Sequence, residues 1–351
     1  MRPGVRLPVR WELSQTVSCL FLPFPLTVFP PFSRDILRRV VTVSDFIAKF
    51  VAVNMDFTLI IMDRKTFIKA SGMLALGGVA ANLQSCQSGE PKTDGWKEEL
   101  WKDVKPTTEA DFPIHDLHIH ASQTQTYRDI AEKAKERHFA YYGIMFNGTR
   151  PTPATDETLQ KFLDDTAPLG CYRGLQNMKM GWTANLNEDI YKQIDYFFMD
   201  PQMIPNGNCY GDTLEVWEHD CYVPDLDDFM EVNMKHYKAV LENPEPLDIF
   251  GWPLYLPPCI ARHYNEVWTR ERLEIVVDMM VKRKVAVEIN DFAQTPHEEF
   301  ILMCKKAGLK FVFGSDSRDY RSFRLDFCKR IACRCGLTES DFWKPERKTN
   351  V

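Results

Sequence analysis

No run of about 20 uninterrupted apolar residues, the length a helix needs to span a bilayer, occurs in the early apolar stretch, because Pro23, Pro25, Pro30 and Pro31 interrupt it. A membrane-spanning helix is excluded there. Positive charge is not in excess either: 43 Lys and Arg stand against 49 Asp and Glu, a formal charge of −6. The basic footprint of a nucleic-acid-binding surface is therefore missing, and nucleic acid is set aside as a partner. The 10 cysteines contain no paired CxxC, which removes the common structural zinc patterns. What is present is an ordinary globular composition, 44% hydrophobic and 26% charged. Disorder and collagen-like or coiled-coil architectures are excluded, and there is enough apolar material for a large core.

The first hundred residues carry export signals rather than a fold. Residues 1–61 read as neither span nor domain, and are taken as a non-native extension ahead of Met62. From Met62 a short charged region (Asp63, Arg64, Lys65, Lys69) precedes a small apolar one (Ala70 to Ala81), which ends in Leu83-Gln84-Ser85-Cys86. That order is the layout of a secretory signal peptide over residues 62–85. Its end resembles a bacterial lipobox, in which Cys86 is lipidated and becomes the new N-terminus. Arg64-Lys65-Thr66-Phe67-Ile68-Lys69 resembles a twin-arginine export motif with Lys in the second place. The expectation is an exported periplasmic or cell-surface lipoprotein that meets the membrane only through its lipid. A buried helix with an incidental cysteine is the competing reading.

Residues 86–110 read as a polar linker and 111–351 as one domain. Within it short apolar runs alternate with amphipathic segments. The predicted strands are Pro113 to His120, Ala140 to Phe146, Tyr172 to Met178, Tyr196 to Met199, Leu247 to Trp252, Ala286 to Ile289 and Lys310 to Gly314. Between them helices are predicted at Arg128 to Arg137, Glu157 to Asp165, Asp227 to Leu241, Arg272 to Arg283 and His297 to Ala307. Leu273, Val276, Val277 and Met280 show the helical spacing. Strands alternating with helices imply a parallel sheet, and seven units in one run imply a TIM-like barrel or a long doubly wound sheet. Function then sits at the carboxyl ends of the strands.

The residues at those ends carry the chemistry. The first strand closes in Asp116-Leu117-His118-Ile119-His120, where alternation places Asp116, His118 and His120 on one face. Two imidazoles side by side are a metal signal, since neutral imidazole is the commonest metal ligand. Glu288-Ile289-Asn290-Asp291 and Gly314-Ser315-Asp316-Ser317-Arg318 end the last two strands, and Asp316 falls where a barrel would complete a site with His118 and His120.

DLHIH, the VEIN of Val287 to Asn290 and the FGSDSR of Phe313 to Arg318 together resemble the polymerase and histidinol phosphatase (PHP) superfamily. The resemblance covers roughly residues 111 to 335. It implies a distorted seven-stranded α/β barrel and a metal-dependent phosphoesterase, with His118, His120 and Asp316 as metal ligands and Glu288 and Asn290 near the site. The family's other ligands are replaced: Phe146-Asn147 stands for its DH, Gln176-Asn177-Met178 for its third-strand glutamate, Gly251-Trp252-Pro253 for its GHP, and Arg318 for its last histidine. Phe, Met and Trp do not hold hard or borderline cations. The family's trinuclear site therefore shrinks to one divalent metal (Zn, Mn or Fe) on His118, His120 and Asp316, with Glu288 as a further candidate, or to none.

The expected catalytic residues are Glu288 and Asp316, as ligand or general base, and Arg318, which would hold an anionic group of the substrate or pair with Asp316. Trp182, Trp217 and Trp252 follow the third, fourth and fifth strands and, with Asn290, are the expected substrate-binding residues; such rings stack on a sugar or another flat ligand. The long connection from Asp200 to Asp225 has the length of a binding loop and carries His219. Cys209 and Cys221 within it are the best disulfide candidates, whereas Cys328 and Cys335 read as core. Two functions fit: a metal-dependent hydrolase acting on a small phosphate ester or similar bond, and a catalytically degenerate barrel that binds a carbohydrate or other small ligand.

Overall fold

A computed structural model describes residues 95–205, 213–319 and 323–348, so the expectations for the signal segment, Cys86 and the Cys209–Cys221 pair lie outside the described residues. In chain order the strands are β1 (His115–Asp116), β2 (Tyr141–Asn147), β3 (Tyr172–Asn177), β4 (Tyr196–Met199), β5 (Met203–Pro205), β6 (Thr213–Glu215), β7 (Ile249–Phe250), β8 (Ala286–Asn290) and β9 (Phe311–Gly314). Seven of them form one parallel sheet in the order β1-β2-β3-β4-β7-β8-β9. The register runs, for example, Gly174 opposite Tyr196 and Val287 opposite Phe311. Each of the seven matches a strand predicted from the sequence. β5 and β6 are an antiparallel hairpin inside the long connection after β4, which was predicted only as a loop.

The sheet curls until its first and last strands meet. Leu117 N donates to Phe313 O at 2.9 Å and His120 N to Ser317 O at 2.9 Å. Side chains fill in where the ladder is broken: the Phe313 N–H donates to His115 Nε2 (3.0 Å) and the Ser315 N–H to Asp116 Oδ1 (3.1 Å). The result is a nearly closed seven-stranded TIM-like barrel whose seam is stitched partly by the first strand's own polar side chains.

Strand alternation sorts the core. Tyr196 and Phe198 of β4, Ala286 of β8 and Val312 of β9 cluster with Leu117, Tyr141, Met145, Tyr172 and Ile249. Their neighbours Val287, Ile289, Phe311 and Phe313 join the cluster that receives the helices. Tyr196 donates its hydroxyl to Leu117 O at 2.7 Å, and a side chain at Gly143 or Gly174 would strike its ring. Four of the outer helices begin where Thr or Asp caps them. Thr126 and Thr155 form capping boxes for Tyr127–Glu136 and Asp156–Thr166, Asp225 caps Leu226–Glu242 and Thr269 caps Arg270–Arg283. Arg270–Arg283 buries the predicted stripe Leu273, Val276, Val277 and Met280. Cys328 and Cys335 are buried as expected. Within the segment read as a linker, Gly95–Trp101 is a helix, and Trp96, Leu100, Trp101 and Val104 pack on the main core. The four apolar residues fall at spacings of four, one and three, too short a pattern to stand out in a polar context.

Candidate metal centre

β1 stops at Asp116 because that carboxylate turns back on the backbone, where Oδ1 accepts from the His118 N–H as well as from Ser315. Beyond β1, His118 and His120 bring their Nε2 atoms to 3.1 Å from one another. Asp316 Oδ1 lies 3.5 Å from His118 Nε2 and 3.4 Å from His120 Nε2. Asp316 sits just past β9 with φ +49°, a left-handed conformation that non-glycine residues seldom adopt outside functional sites. Four ligands held tetrahedrally at about 2.0–2.1 Å from a cation stand about 3.3 Å from one another. The three measured separations are those of one face of such a cage. Among the described residues these three form the one His/Cys/Asp/Glu group close enough to hold a metal ion.

Glu288 is not on that face. Its Oε1 lies 2.6 Å from His118 Nδ1 and accepts from Asn290 Nδ2 at 2.9 Å, while Oε2 accepts from the Trp252 N–H at 2.8 Å. The geometry is that of the carboxylate–histidine–metal relay, in which the carboxylate fixes the tautomer and aim of the ligand. Glu288 thus acts by orienting His118, in place of the ligand or general-base role expected of it. Asn290 is likewise committed, since its Oδ1 accepts from the Ala293 N–H at 2.8 Å. It braces Glu288 and is fully buried, which removes it from the substrate-binding set. Gly314 makes room for this pair: a Cβ there would collide with Glu288 Oε1 and come within 2.8 Å of His118 Cβ.

Electrostatics follow the burial. Desolvation opposes a charge on His118, but the Glu288 and Asp316 carboxylates outweigh it and lift its pKa to about 9. His120 moves well below the usual range, through burial first and then through the charges of Arg318 and His118. Burial raises Asp316. One imidazole is therefore charged and its neighbour neutral, and a cation binding between them displaces a proton.

Two residues that the sequence reading missed complete the surroundings. Gln176, at the end of β3, brings its amide Nε2 to 3.2 Å from His118 Nε2 and 3.4 Å from Asp200 Oδ2. Asp200 follows β4 directly, is buried, and its Oδ1 has no hydrogen-bond partner among the described residues. Burial pushes its pKa up to about 8. The rule that barrel chemistry sits at strand ends points to it, because Asp200 directly follows the carboxyl end of β4.

Gln176, Asp200 and Asp316 open onto a cavity of about 550 Å³ that is also lined by Trp217, His219, Trp252, Tyr255 and Arg318. Trp217 and Trp252 therefore stand where the sequence placed them. Trp182 does not: it is buried in an outer core cluster, stacked on Phe197 with ring centroids 5.5 Å apart and edge-on to Tyr191. The turn Trp182–Asn185 after β3 folds back over the helix side of the sheet, which carries the indole away from the mouth. Arg318 lines the cavity and places Nη2 3.0 Å from Asp316 Oδ1. Its side chain is 53% exposed against 8% for Asp316, so the guanidinium covers the carboxylate from the solvent side and leaves the interior to the histidines.

No family model matches the chain and no curated protein matches it. Among solved structures, the YdjI aldolase from Escherichia coli K12 aligns with a TM-score of 0.34 and 9% identity, covering 70% of this chain and 78% of that one. Citrate synthase SbnG aligns with a TM-score of 0.30 and 10% identity, covering 58% of this chain and 87% of that one. Likeness at this level carries no argument about the site.

Proposed function

We propose that the protein is a metal-dependent hydrolase of small molecules with a mononuclear site, built on a divergent PHP-type barrel. The observation that carries the reading is the triangle of His118 Nε2, His120 Nε2 and Asp316 Oδ1, with sides of 3.1, 3.4 and 3.5 Å. These three residues would hold the cation, and Glu288 would keep His118 Nδ1 protonated and its Nε2 turned inward. A divalent cation bound by three protein groups supplies a Lewis acid and lowers the pKa of water at its open position. The chain supplies the rest. Asp200 stands beside the triangle, one Gln176 amide away from His118, with an oxygen able to take or give a proton, and Trp217, Trp252 and Tyr255 would exclude water from the bound substrate. The PHP assignment rests on DLHIH, VEIN and GSDSR, and export as a Cys86-anchored lipoprotein rests on the Met62 to Cys86 segment. N-terminal mass spectrometry of native protein tests the latter, and a peptide from residues 1–61 would overturn it.

Metal analysis of protein purified without added metal tests the activity reading. About one equivalent in the parent, lost in His118→Ala with His120→Ala, is the expected result. A parent without stoichiometric metal and unable to take up Zn, Mn or Fe would sink it.

One observation favours a second reading. Arg318 Nη2 reaches the same Asp316 oxygen at 3.0 Å that faces the histidines, and a cation supplied by the protein itself would suit a barrel that binds its ligand without chemistry. Ligand-dependent thermal shifts without metal or turnover would favour that reading.

A further inference from the structure

Two residues that line the 550 Å³ cavity each bury a polar atom that has no partner among the described residues. Asp200 Oδ1 is an acceptor and Trp252 Nε1 a donor, and their residues are 4% and 6% exposed. Burying a hydrogen-bonding group without a partner costs about 1–3 kcal/mol, so a wall that keeps two such atoms has a use for them. The backbone of Trp252 is held at its N–H by Glu288 Oε2 (2.8 Å) and at its carbonyl by Gln202 Nε2 (3.1 Å), with φ +41°. Asp200 accepts at Oδ2 from Gln176, which leaves Oδ1 over.

Apolar surface surrounds these two atoms. The ring of Trp252 meets Tyr255 at 4.9 Å and Phe292 at 5.9 Å, and Phe292 is 72% exposed although it is among the most apolar of side chains. The three rings line the same cavity and together form an apolar face on which a flat ligand can stack.

Charge narrows the occupant. The described lining residues include two guanidinium groups, and both are already matched. Arg150 pairs with Glu215 at 2.7 Å and lies over the Trp217 ring at 4.8 Å, while Arg318 pairs with Asp316 at 3.0 Å. Among the described lining residues no Arg or Lys is left unmatched to meet a phosphate, whose recognition draws on such groups.

Resting on the reading of this cavity as the substrate site, we propose that its ligand is an uncharged, hydroxylated ring compound, a neutral sugar or cyclic polyol or a derivative of one. A hydroxyl would donate to Asp200 Oδ1, a ring or hydroxyl oxygen would accept from Trp252 Nε1, and the ring's carbon face would lie on the aromatic platform. The phosphate ester implied by the PHP resemblance is the occupant this wall disfavours.

Calorimetric titration and tryptophan fluorescence test it on the full chain, with D-glucose, D-galactose, D-xylose and myo-inositol as neutral probes and glucose 6-phosphate and inorganic phosphate as anionic ones. Saturable binding of at least one neutral probe, at millimolar or tighter affinity and tighter than its phosphorylated counterpart, is expected. Trp252→Phe keeps a ring and drops the N–H, and Asp200→Ala removes the acceptor oxygen. Each should weaken that probe about tenfold, the factor that corresponds to about 1.4 kcal/mol, with the melting temperature checked to show that the fold survives. Binding of the anionic probes alone, of no probe at all, or of a neutral probe with unchanged affinity in both variants overturns the proposal. Titrations run with and without EDTA separate this outcome from that of the metal. Neutral-sugar binding by a protein that holds no metal keeps the proposal and ends the metal reading, whereas a metal-loaded protein that ignores neutral sugars does the reverse.

Discussion

Glu288 Oε1 lies 2.6 Å from His118 Nδ1, on the opposite edge of the imidazole from the nitrogen that faces His120 and Asp316. The contact joins β8 to the first strand across the barrel and determines which nitrogen of His118 is free to bind. Replacing the carboxylate with a neutral amide keeps the volume but weakens the grip on the tautomer. Glu288→Gln is expected to lower metal affinity by about 10–100-fold, the usual cost of losing a partner behind a histidine ligand. Competition against a chromophoric chelator measures it. Unchanged affinity would mean that His118 is aimed by packing alone.

Gly314 is the space into which that pair fits. A methyl group there meets Glu288 Oε1 and His118 Cβ at once, and neither can retreat, since Glu288 is tied to Trp252 and Asn290. Gly314→Ala is expected to cost about 1–3 kcal/mol, as overpacking of a filled core does, and to abolish stoichiometric metal. The combination is diagnostic: chemical denaturation reports the first and metal analysis the second.

The seven strands and five principal helices are legible in the sequence because each rests on a local property: a short apolar run for a buried parallel strand, a 3.6-residue stripe for a covering helix. His118, His120 and Asp316 are legible for the same reason, two as alternate residues ending one strand and the third at another strand's tip. The roles of Glu288 and Asn290 are not. Both lie on β8 and point inward, but whether a carboxylate touches the metal face or the far nitrogen depends on the height of β8 against β1, which is set by closure through Leu117 and Phe313. Trp182 was misplaced because the turn that carries it reverses over the sheet, a tertiary event with no pattern of its own. Asp200 carries no such signal because Asp200-Pro201 reads as the start of a loop.

Arg318 and the histidines converge on one oxygen of Asp316, and Arg318→Gln decides which of them matters. If the site holds a metal, removing a neighbouring positive charge raises metal affinity several-fold and leaves the melting temperature near that of the parent, because the guanidinium is half-exposed and such pairs contribute only about 0–1 kcal/mol. That is the expected result in a direct metal titration. If the ion pair itself fills the site, the variant instead loses stability and gains no metal.

Metal should also reveal itself in stability. A cation that binds the folded chain alone stabilises it by about 2.7 kcal/mol at 100 times its dissociation constant. Thermal melts of chelator-treated protein are expected to rise on addition of Zn or Mn and not of Mg, which demands octahedral oxygen ligands that two imidazoles do not provide. Equal responses to all three would point to weak surface binding.

The last prediction concerns the seam and does not involve the metal. His115 donates from Nδ1 to Pro113 O (2.8 Å) and accepts the Phe313 N–H at Nε2 (3.0 Å), packed between the rings of Tyr141 and Phe313. Both nitrogens are used, so only the neutral ring fits. Burial lowers its pKa to about 4, the Pro113 carbonyl pulling the other way. Below pH 6.5 the unfolded chain takes up a proton that the folded chain refuses, so this contribution is whole above pH 6.5 and is lost as the pH falls toward 4. At pH 5 the loss is about 2 kcal/mol. Asp116 and Asp200, held up to about 7 and 8 by burial, act in the opposite sense over the same range, and the overall profile mixes the three. The difference between parent and His115→Asn, which keeps a donor for Pro113 but does not titrate, isolates the histidine. Urea denaturation at pH 8, 6 and 5 is expected to show that difference shrinking by about 2 kcal/mol between pH 8 and pH 5. A constant difference would mean that the Phe313 N–H bond to Nε2 survives protonation, which an imidazolium with no lone pair left does not allow.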